Sequence, residues 1–335
     1  MGSSATLLVL LFVLGNGVAV TMGRFLRTEV EVIEEDLDEE LFLMKKSKLV
    51  ANTSVGKIRV FYDSRVPERR LQTAITTMEP RSLLTPHLVA ATQVMYVRSG
   101  EAKLGYIYKN NQRLTQMRLR EGDVYQIPAG SAFYIANEES DQKLEIISGI
   151  EPSQGLRDDV FEITEDPPRS YNLNKRKPDF ENKYGWRVAV DGSQYHPLKS
   201  SGIGIYHEYL SAGSMMAPRV NPMATEYGIV VNGSGRVQVL FPNGSNAMDT
   251  NITKGDVFFI PSNFPYCEIA HKGESLELLG FTTSAQRNRP VVLVGARSVV
   301  RTMEGPELAT SFGVSKEEIK HLVSAQHESV ILPTP

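Results

Sequence analysis

Hydrophobic positions along the chain fall in short alternating runs. QVMYV (93–97), KLGYIY (103–108), DVYQIP (123–128), AFYIAN (132–137) and LEIIS (144–148) are rich in β-branched and aromatic residues, and Gly, Pro and Asn separate them. Such runs, many and short, predict the strands of a sandwich or barrel. The stretch EGDVYQIPAGSAFYIAN at 121–137 predicts a strand, a Pro-Ala-Gly turn and a second strand. GSGR at 233–236 has the composition of a hairpin turn between VVN and VQVLF, with Gly supplying positive φ. Helical spacing is confined to a few places. SKEEIKHLVSAQ opens on Ser315 with Glu318 three residues later, a capping-box pattern, and Ile319, Leu322 and Val323 share one face. Gly305 and Pro306 open a shorter helix that Gly313 ends. Residues 151–195 are richer in charge, Pro and Asn; the pattern predicts a helical segment at 158–163, ended by Pro167 and Pro168.

The strand pattern occurs twice. VMYVRSGEAKLGYI recurs as GIVVNGSGRVQVLF, and EGDVYQIPAGSAFYIAN recurs as KGDVFFIPSNFPYCEIA. Gly100 matches Gly233, Gly122 matches Gly255, Asp123 matches Asp256 and Pro128 matches Pro261, each pair 133 positions apart. A slip of one residue would turn every inward side chain outward, so a shared spacing means that both copies keep one register. The predicted fold is therefore all-β dominated: two tandem barrels, each followed by a short α-helical appendage. The segments are 1–23, an N-terminal leader; 24–56, an acidic arm; 57–150, the first barrel; 151–195, a linker; 196–302, the second barrel; and 303–335, a helical appendage. The stretch 57–78 is short, which leaves the completion of the first barrel open.

Two copies of G-D-x-x-x-I-P, each with an upstream strand ending in Gly, resemble the tandem jelly-roll barrels of the bicupins. GIGIYHEYLSAGSMMAPRVNPMATEYGIVVNGSGRVQVLFPNG and FTTSAQRNRP resemble the vicilin (7S globulin) branch. The resemblance implies a non-enzymatic seed storage protein, a homotrimer clasped by its helical appendages, carried by the secretory pathway to a protein storage vacuole or outside the cell.

Metal-binding members of that superfamily use an H-x-H pair, a Glu and a later His. Counted at the 133-residue offset, those positions hold Pro86, Leu88, Gln93 and Phe133 in the first copy. His87 lies between the first two and is expected on the opposite face. In the second copy they hold Arg219, Asn221, Glu226 and Tyr266. Vicilins keep His, Asn and Glu in this row, so Arg219 departs even from them. Arginine does not ligate metals and stays charged. An inward Arg219 needs an acidic partner, and Glu226 is the expected one. The first barrel is expected to be plugged by Phe133, Leu88 and Pro86. An alternative reading gives the second barrel a binding role in defence or regulation. Arg219, Asn221 and Tyr266 would then hold a small carboxylate, or Cys267 with His207, His271 or His321 would hold Cu or Zn. A bicupin enzyme of oxalate decarboxylase or dioxygenase type needs at least three N/O ligands in one barrel, and neither copy supplies them.

Composition changes the picture in three ways. The 335 residues are 41% hydrophobic, enough for two cores. The net charge of −3 does not suggest a nucleic-acid partner. The apolar run at 5–14 is too short to span a bilayer and fits a secretory signal peptide, cleaved near 20–23. No later run is long enough to cross a membrane. Behind the leader, EVEVIEEDLDEE at 29–40 carries eight carboxylates in twelve positions, a solvated arm. Sequons at Asn52, Asn232, Asn243 and Asn251 are candidates for glycosylation. Cys267 is the single cysteine, so no intrachain disulfide forms. Basic clusters PERR (67–70) and NKRKP (174–178) are short and balanced by nearby acids, protease-accessible loops rather than a nucleic-acid face.

Overall fold

The structure, a computed structural model, describes residues 40–63, 71–89, 91–108, 114–151, 169–286 and 289–334. The leader at 1–23, residues 24–39 of the acidic arm, the PERR cluster and the helical segment expected at 158–163 lie outside the described residues.

Alternation of apolar and polar residues sets the architecture. In the first module, Ser131–Asn137 buries every second residue, and its neighbours do likewise on one face. It belongs to a four-stranded antiparallel sheet, ordered Ser82–Leu88, Ser131–Asn137, Glu101–Tyr108, Thr115–Arg120. The opposing sheet runs Ser47–Thr53, Gly56–Phe61, Gln72–Met78, Leu144–Ile150, Gln93–Ser99, Asp123–Ile127, Tyr171–Asn172. Between them lie Met95, Val97, Leu104, Leu119, Ile135 and Ile146, all buried. The first barrel is thus completed from upstream. Its sheet begins at Ser47, inside the segment expected to be an arm, because Gly56 closes a hairpin onto Gln72–Met78.

The second module repeats this plan with one difference of kind. Glu226–Leu240 is a single 15-residue strand shared by both faces of the barrel. Its first half pairs with Leu276–Thr282 and Val257–Ile260, and its second half with Asn246–Thr253 and Pro265–Ala270. GSGR therefore is not a hairpin turn. A register shift between Val230 and Asn232, with Gly233 at φ +77°, kinks the strand from one sheet into the other. The hairpin turn lies further on, where Phe241 N–H donates to Ser245 O at 2.9 Å and Gly244 takes φ +87°. The second sheet also starts earlier than residue 196: Phe180–Asn182 pairs with Gly185–Val190, which in turn pairs with Gly204–Leu210.

The outer faces of the two modules share one core. Val94, Tyr96, Val124 and Ile147 of the first pack with Ile205, Tyr227, Leu279 and Phe281 of the second. Phe42, Leu43 and Met44 join this core through the second module, where Met44 N–H donates to Val257 O at 2.8 Å. Gly149 is required at the seam, since a Cβ there would stand 2.8 Å from the Phe281 ring.

Three short helices follow, Val299–Thr302, Pro306–Phe312 and Lys316–Ser324, closing on Val300, Leu308, Ala309 and Ile319. Gly305 precedes Pro306, and Gly313 ends that helix in the left-handed region. Ser315 and Glu318 form the capping box reciprocally. Ser315→Ala is expected to cost about 1 kcal/mol. Faster amide exchange confined to 316–324 would show it; unchanged protection there would contradict it. The tail is not helical throughout. Ile331–Pro333 returns as a strand against Ser214–Met216, with Ile331 fully buried.

Candidate functional site

Residues of alternate strand positions converge inside the second barrel. Gly185–Val190 supplies Arg187, Gly204–Leu210 supplies Tyr206 and Glu208, and Pro265–Ala270 supplies Tyr266 and Glu268. Arg219 enters from Arg219–Val220 and Glu226 from the start of the long strand. The period of two puts 206 with 208, and 266 with 268, on the inner face. Arg219 is 2% exposed and is the largest fully buried side chain.

Arg219 bonds to the protein's own acids through Nη2 and to Tyr266 through Nε, while Nη1 has no hydrogen-bond partner. Nη2 donates to Glu268 Oε1 at 2.9 Å and to Glu208 Oε1 at 3.4 Å, and Nε donates to Tyr266 Oη at 3.0 Å. Its guanidinium carbon lies 4.5 Å from the Tyr266 ring centroid. Glu208 is shared: its other oxygen stands 3.3 Å from Arg187 Nη1. The expected Arg219–Glu226 pair does not form. Glu226 Oε1 instead accepts from Asn221 Nδ2 at 2.6 Å, while Asn221 Oδ1 accepts from the backbone N–H of Met223 and Ala224. The physical reason is reach. Glu268 shares an inner face with Tyr266, directly across the ladder from Arg219, whereas Asn221 stands between Arg219 and Glu226 along the chain. The expected carboxylate site is thereby altered too, since Arg219, Asn221 and Tyr266 each already bond within the protein.

The cluster holds two guanidiniums and three carboxyl groups. With all five ionised it would carry an excess negative charge in a dry interior. Burial pushes the Glu268 carboxyl up to about 8, outweighing the lowering by Arg219, so it holds a proton at neutral pH. Burial opposes the charge on Arg219, but Glu268, Tyr266 and Glu208 overcome it and raise its pKa well above the usual value. Linkage fixes the sign. The folded protein binds a proton that the unfolded chain releases near 4.5, so stability from this group is complete below that value. It is lost as pH rises through about 8. Urea midpoints are expected to fall between those limits, and Glu268→Gln is expected to flatten the fall. An equal slope in both proteins would refute this.

The first barrel departs from the 133-residue offset at one strand. His87, not Pro86, pairs with Phe133, just as Arg219 pairs with Tyr266. Gln93 pairs with Ile127 as Glu226 pairs with Ile260. The connection from the 87/219 position to the next strand is thus one residue shorter in the first module. A register shift between Leu84 and His87 completes the change. His87 holds the ladder position of Arg219 but is exposed, its ring centroid 4.3 Å from that of Phe133 and its Nδ1 3.0 Å from Thr85 O. Pro86 is exposed and does not plug the barrel; the Leu88 side chain lies outside the described ones. Phe133 is buried in the apolar core as expected. The sequence held a signal for this. TPHL at 85–88 and APRV at 217–220 align proline on proline, and ATQ at 91–93 matches ATE at 224–226 once one gap is opened.

The donor set does not fit a transition metal in either barrel. In the first barrel the row offers one imidazole, the exposed His87, and one amide, Gln93, and the second barrel places a guanidinium among its carboxylates. The soft-ligand residues are dispersed. Cys267 faces away from Tyr266, 3.9 Å from Gln238 Oε1, and burial pushes its thiol up to about 12. His207 Nε2 sits 2.8 Å from Glu277 Oε1 at the seam between modules. His271 bonds Ser234, and His321 lies on the last helix. Among the described residues no group of three or more His, Cys, Asp or Glu is arranged to hold a metal. The asparagines of all four sequons are exposed. No helix among the described residues is long and apolar enough to cross a membrane.

A family model described as cupin matches residues 43–158 and 171–320. A vicilin-like seed storage protein of Arabidopsis thaliana is 34% identical, over 88% of this chain and 80% of its own length. The crystal structure of hazelnut (Corylus avellana) vicilin superposes with a TM-score of 0.77 at 20% identity, covering 87% of this chain and 99% of that one. A vicilin from Solanum melongena, whose crystal structure revealed different anionic ligands in structurally similar pockets, superposes at 0.78. It is 18% identical and covers 90% of this chain and 99% of its own.

Proposed function

We propose, from the premise that the chain belongs to the cupin family and to its vicilin-like branch, that it is a seed storage protein, a nutrient reservoir without catalytic turnover. One observation carries the reading: the inner face of the second barrel is closed by Arg219 on Glu268 and Glu208. A guanidinium held at that point leaves no ligand set for chemistry and makes the barrel protein throughout. Such a molecule folds densely and keeps its nitrogen until proteases open it. The test is its history in the seed. It is expected to accumulate during maturation and to be cleared on germination; constant low abundance through both stages would contradict storage.

The finer parts of the proposal concern assembly and address. The chain enters the secretory pathway through its N-terminal apolar run, reaches a storage vacuole or the extracellular space, and carries glycans on exposed sequons. It assembles as a homotrimer through its C-terminal helices. Leu322, 58% exposed on the helix Lys316–Ser324, supports that assembly. Leu322→Glu is expected to turn trimers into monomers with little change in melting temperature, as sedimentation would show. Intact trimers would remove the helices from the interface. A point substitution is preferable to deleting the tail, because Ile331–Pro333 is a strand of the barrel.

A second reading keeps a small carboxylate in the second barrel. It is supported by Arg219 Nη1, which has no hydrogen-bond partner, and by the anionic ligands of the Solanum melongena vicilin. The oxygens of Glu208 and Glu268 weigh against it, since they already fill the role of such an anion.

A further inference from the structure

We propose that the cleft between residues 177–181 and the helix Val299–Thr302 is a binding site for a small anion bearing several phosphate groups. This goes beyond the storage reading and does not depend on it. The cleft is open to solvent and has a volume of about 1010 Å³. Lys177, from the basic cluster NKRKP, lines one wall; Arg297, Arg301 and His327 line the other.

These basic side chains have no acidic partner among the described residues. Arg98, Arg118, Arg120 and Arg236, on other surfaces, each sit against a carboxylate. Two acids also line the cleft, Asp179 and Glu181. Asp179 is neutralised by Arg176 at 2.6 Å and accepts Ala189 N–H at 2.8 Å. Among the lining residues Glu181 therefore stands alone against Lys177, Arg297 and Arg301. Unpaired like charges in a concavity repel one another and concentrate positive potential where an anion would sit.

The wall carrying the arginines is built to hold still. Ser298 Oγ accepts Arg301 N–H at 3.2 Å, and Val300 between the two arginines is buried in the core of the helical appendage. A guanidinium fork takes two oxygens of a phosphate or a carboxylate at a time, and a phosphate group offers one more acceptor oxygen and more charge than a carboxylate. The volume is at the top of the range for small-molecule pockets, roughly 300–1,000 Å³. Cations on both walls then favour a ligand with phosphates on more than one side over a single phosphate ion.

The probe is inorganic tripolyphosphate, titrated calorimetrically into the full chain at low ionic strength. The proposal expects one saturable site per protomer. Arg297→Ala with Arg301→Ala is expected to raise Kd at least tenfold, or about 1.4 kcal/mol or more. Lys177→Ala should raise it several-fold, and citrate should bind at least tenfold more weakly than tripolyphosphate. Arg118→Ala with Arg120→Ala removes the same charge elsewhere and is expected to leave Kd unchanged. Four results would overturn the proposal: no saturable binding; equal loss in the control pair; citrate as tight as tripolyphosphate; or a changed sedimentation coefficient in the Arg297/Arg301 variant, which would make the cleft a seat for another copy of the chain.

Discussion

Arg219→Ala is expected to destabilise the protein by about 3–5 kcal/mol, with a fall in Tm of roughly 10 °C. The change leaves Glu208, 0% exposed, with Arg187 as its one remaining ion-pair partner, and takes a hydrogen-bond donor away from the equally buried Glu268. It also removes the donor to Tyr266 and the ring contact. Breaking a buried pair costs more than the pair ever contributes, because the surviving charge cannot reach water. Glu268→Gln should behave differently. That carboxyl already holds a proton at neutral pH, so an amide of the same shape changes the charge little. A loss of under about 1 kcal/mol is expected at pH 7. Replacing Arg219, Glu208 and Glu268 together by apolar residues of similar volume should recover most of the Arg219→Ala loss. Equal melting curves for wild type and Arg219→Ala would show that the ion pairs are not in place.

Gly233→Ala is the second large effect, expected at about 3–5 kcal/mol from backbone strain and overpacking together. An added Cβ would lie 1.8 Å from Ser275 O, a backbone atom just before the adjoining strand Leu276–Thr282, and φ is +77°. This is the kink that carries the long strand from one sheet to the other, so no side-chain rotation relieves the clash. Two further glycines calibrate the claim. At Gly100, the matching kink of the first module, the nearest atom is Lys143 O at 2.8 Å with φ +85°. At Gly255 nothing lies within 4 Å and only the φ of +97° opposes a side chain, which costs roughly 1–2 kcal/mol. The expected order of loss is Gly233, then Gly100, then Gly255. Chemical denaturation of the three variants checks it, and any other order would undo the steric account.

The parts of the fold that were legible in the sequence rest on local or strictly repeated signals. A capping box is four residues of chemistry, so Ser315 and Glu318 announced their helix. The Gly-Asp-x-x-x-Ile-Pro unit recurs because an inward row of side chains tolerates no slip, so the duplication stood out. What was not legible involved pairing across the chain. Glu208 and Glu268 lie in the strands YHEYL and CEIA, and neither stood out there as a site residue. Nothing local tied either one to Arg219, which lies 11 and 49 positions away. GSGR misled because a glycine with positive φ serves a hairpin and a sheet-crossing kink equally well. At His87 a uniform offset concealed a connection one residue shorter, which moves the position paired with Phe133 from Pro86 to His87.

The central claim is that the second barrel is closed by the protein's own ion pairs. Native mass spectrometry of the purified chain, with elemental analysis of the same sample, tests it most directly. The account predicts protomers whose mass is that of the polypeptide and its glycans, with no metal or small acid at one per chain. A transition metal or a carboxylic acid retained stoichiometrically by wild type, and lost from Arg219→Ala that is still folded, would contradict it.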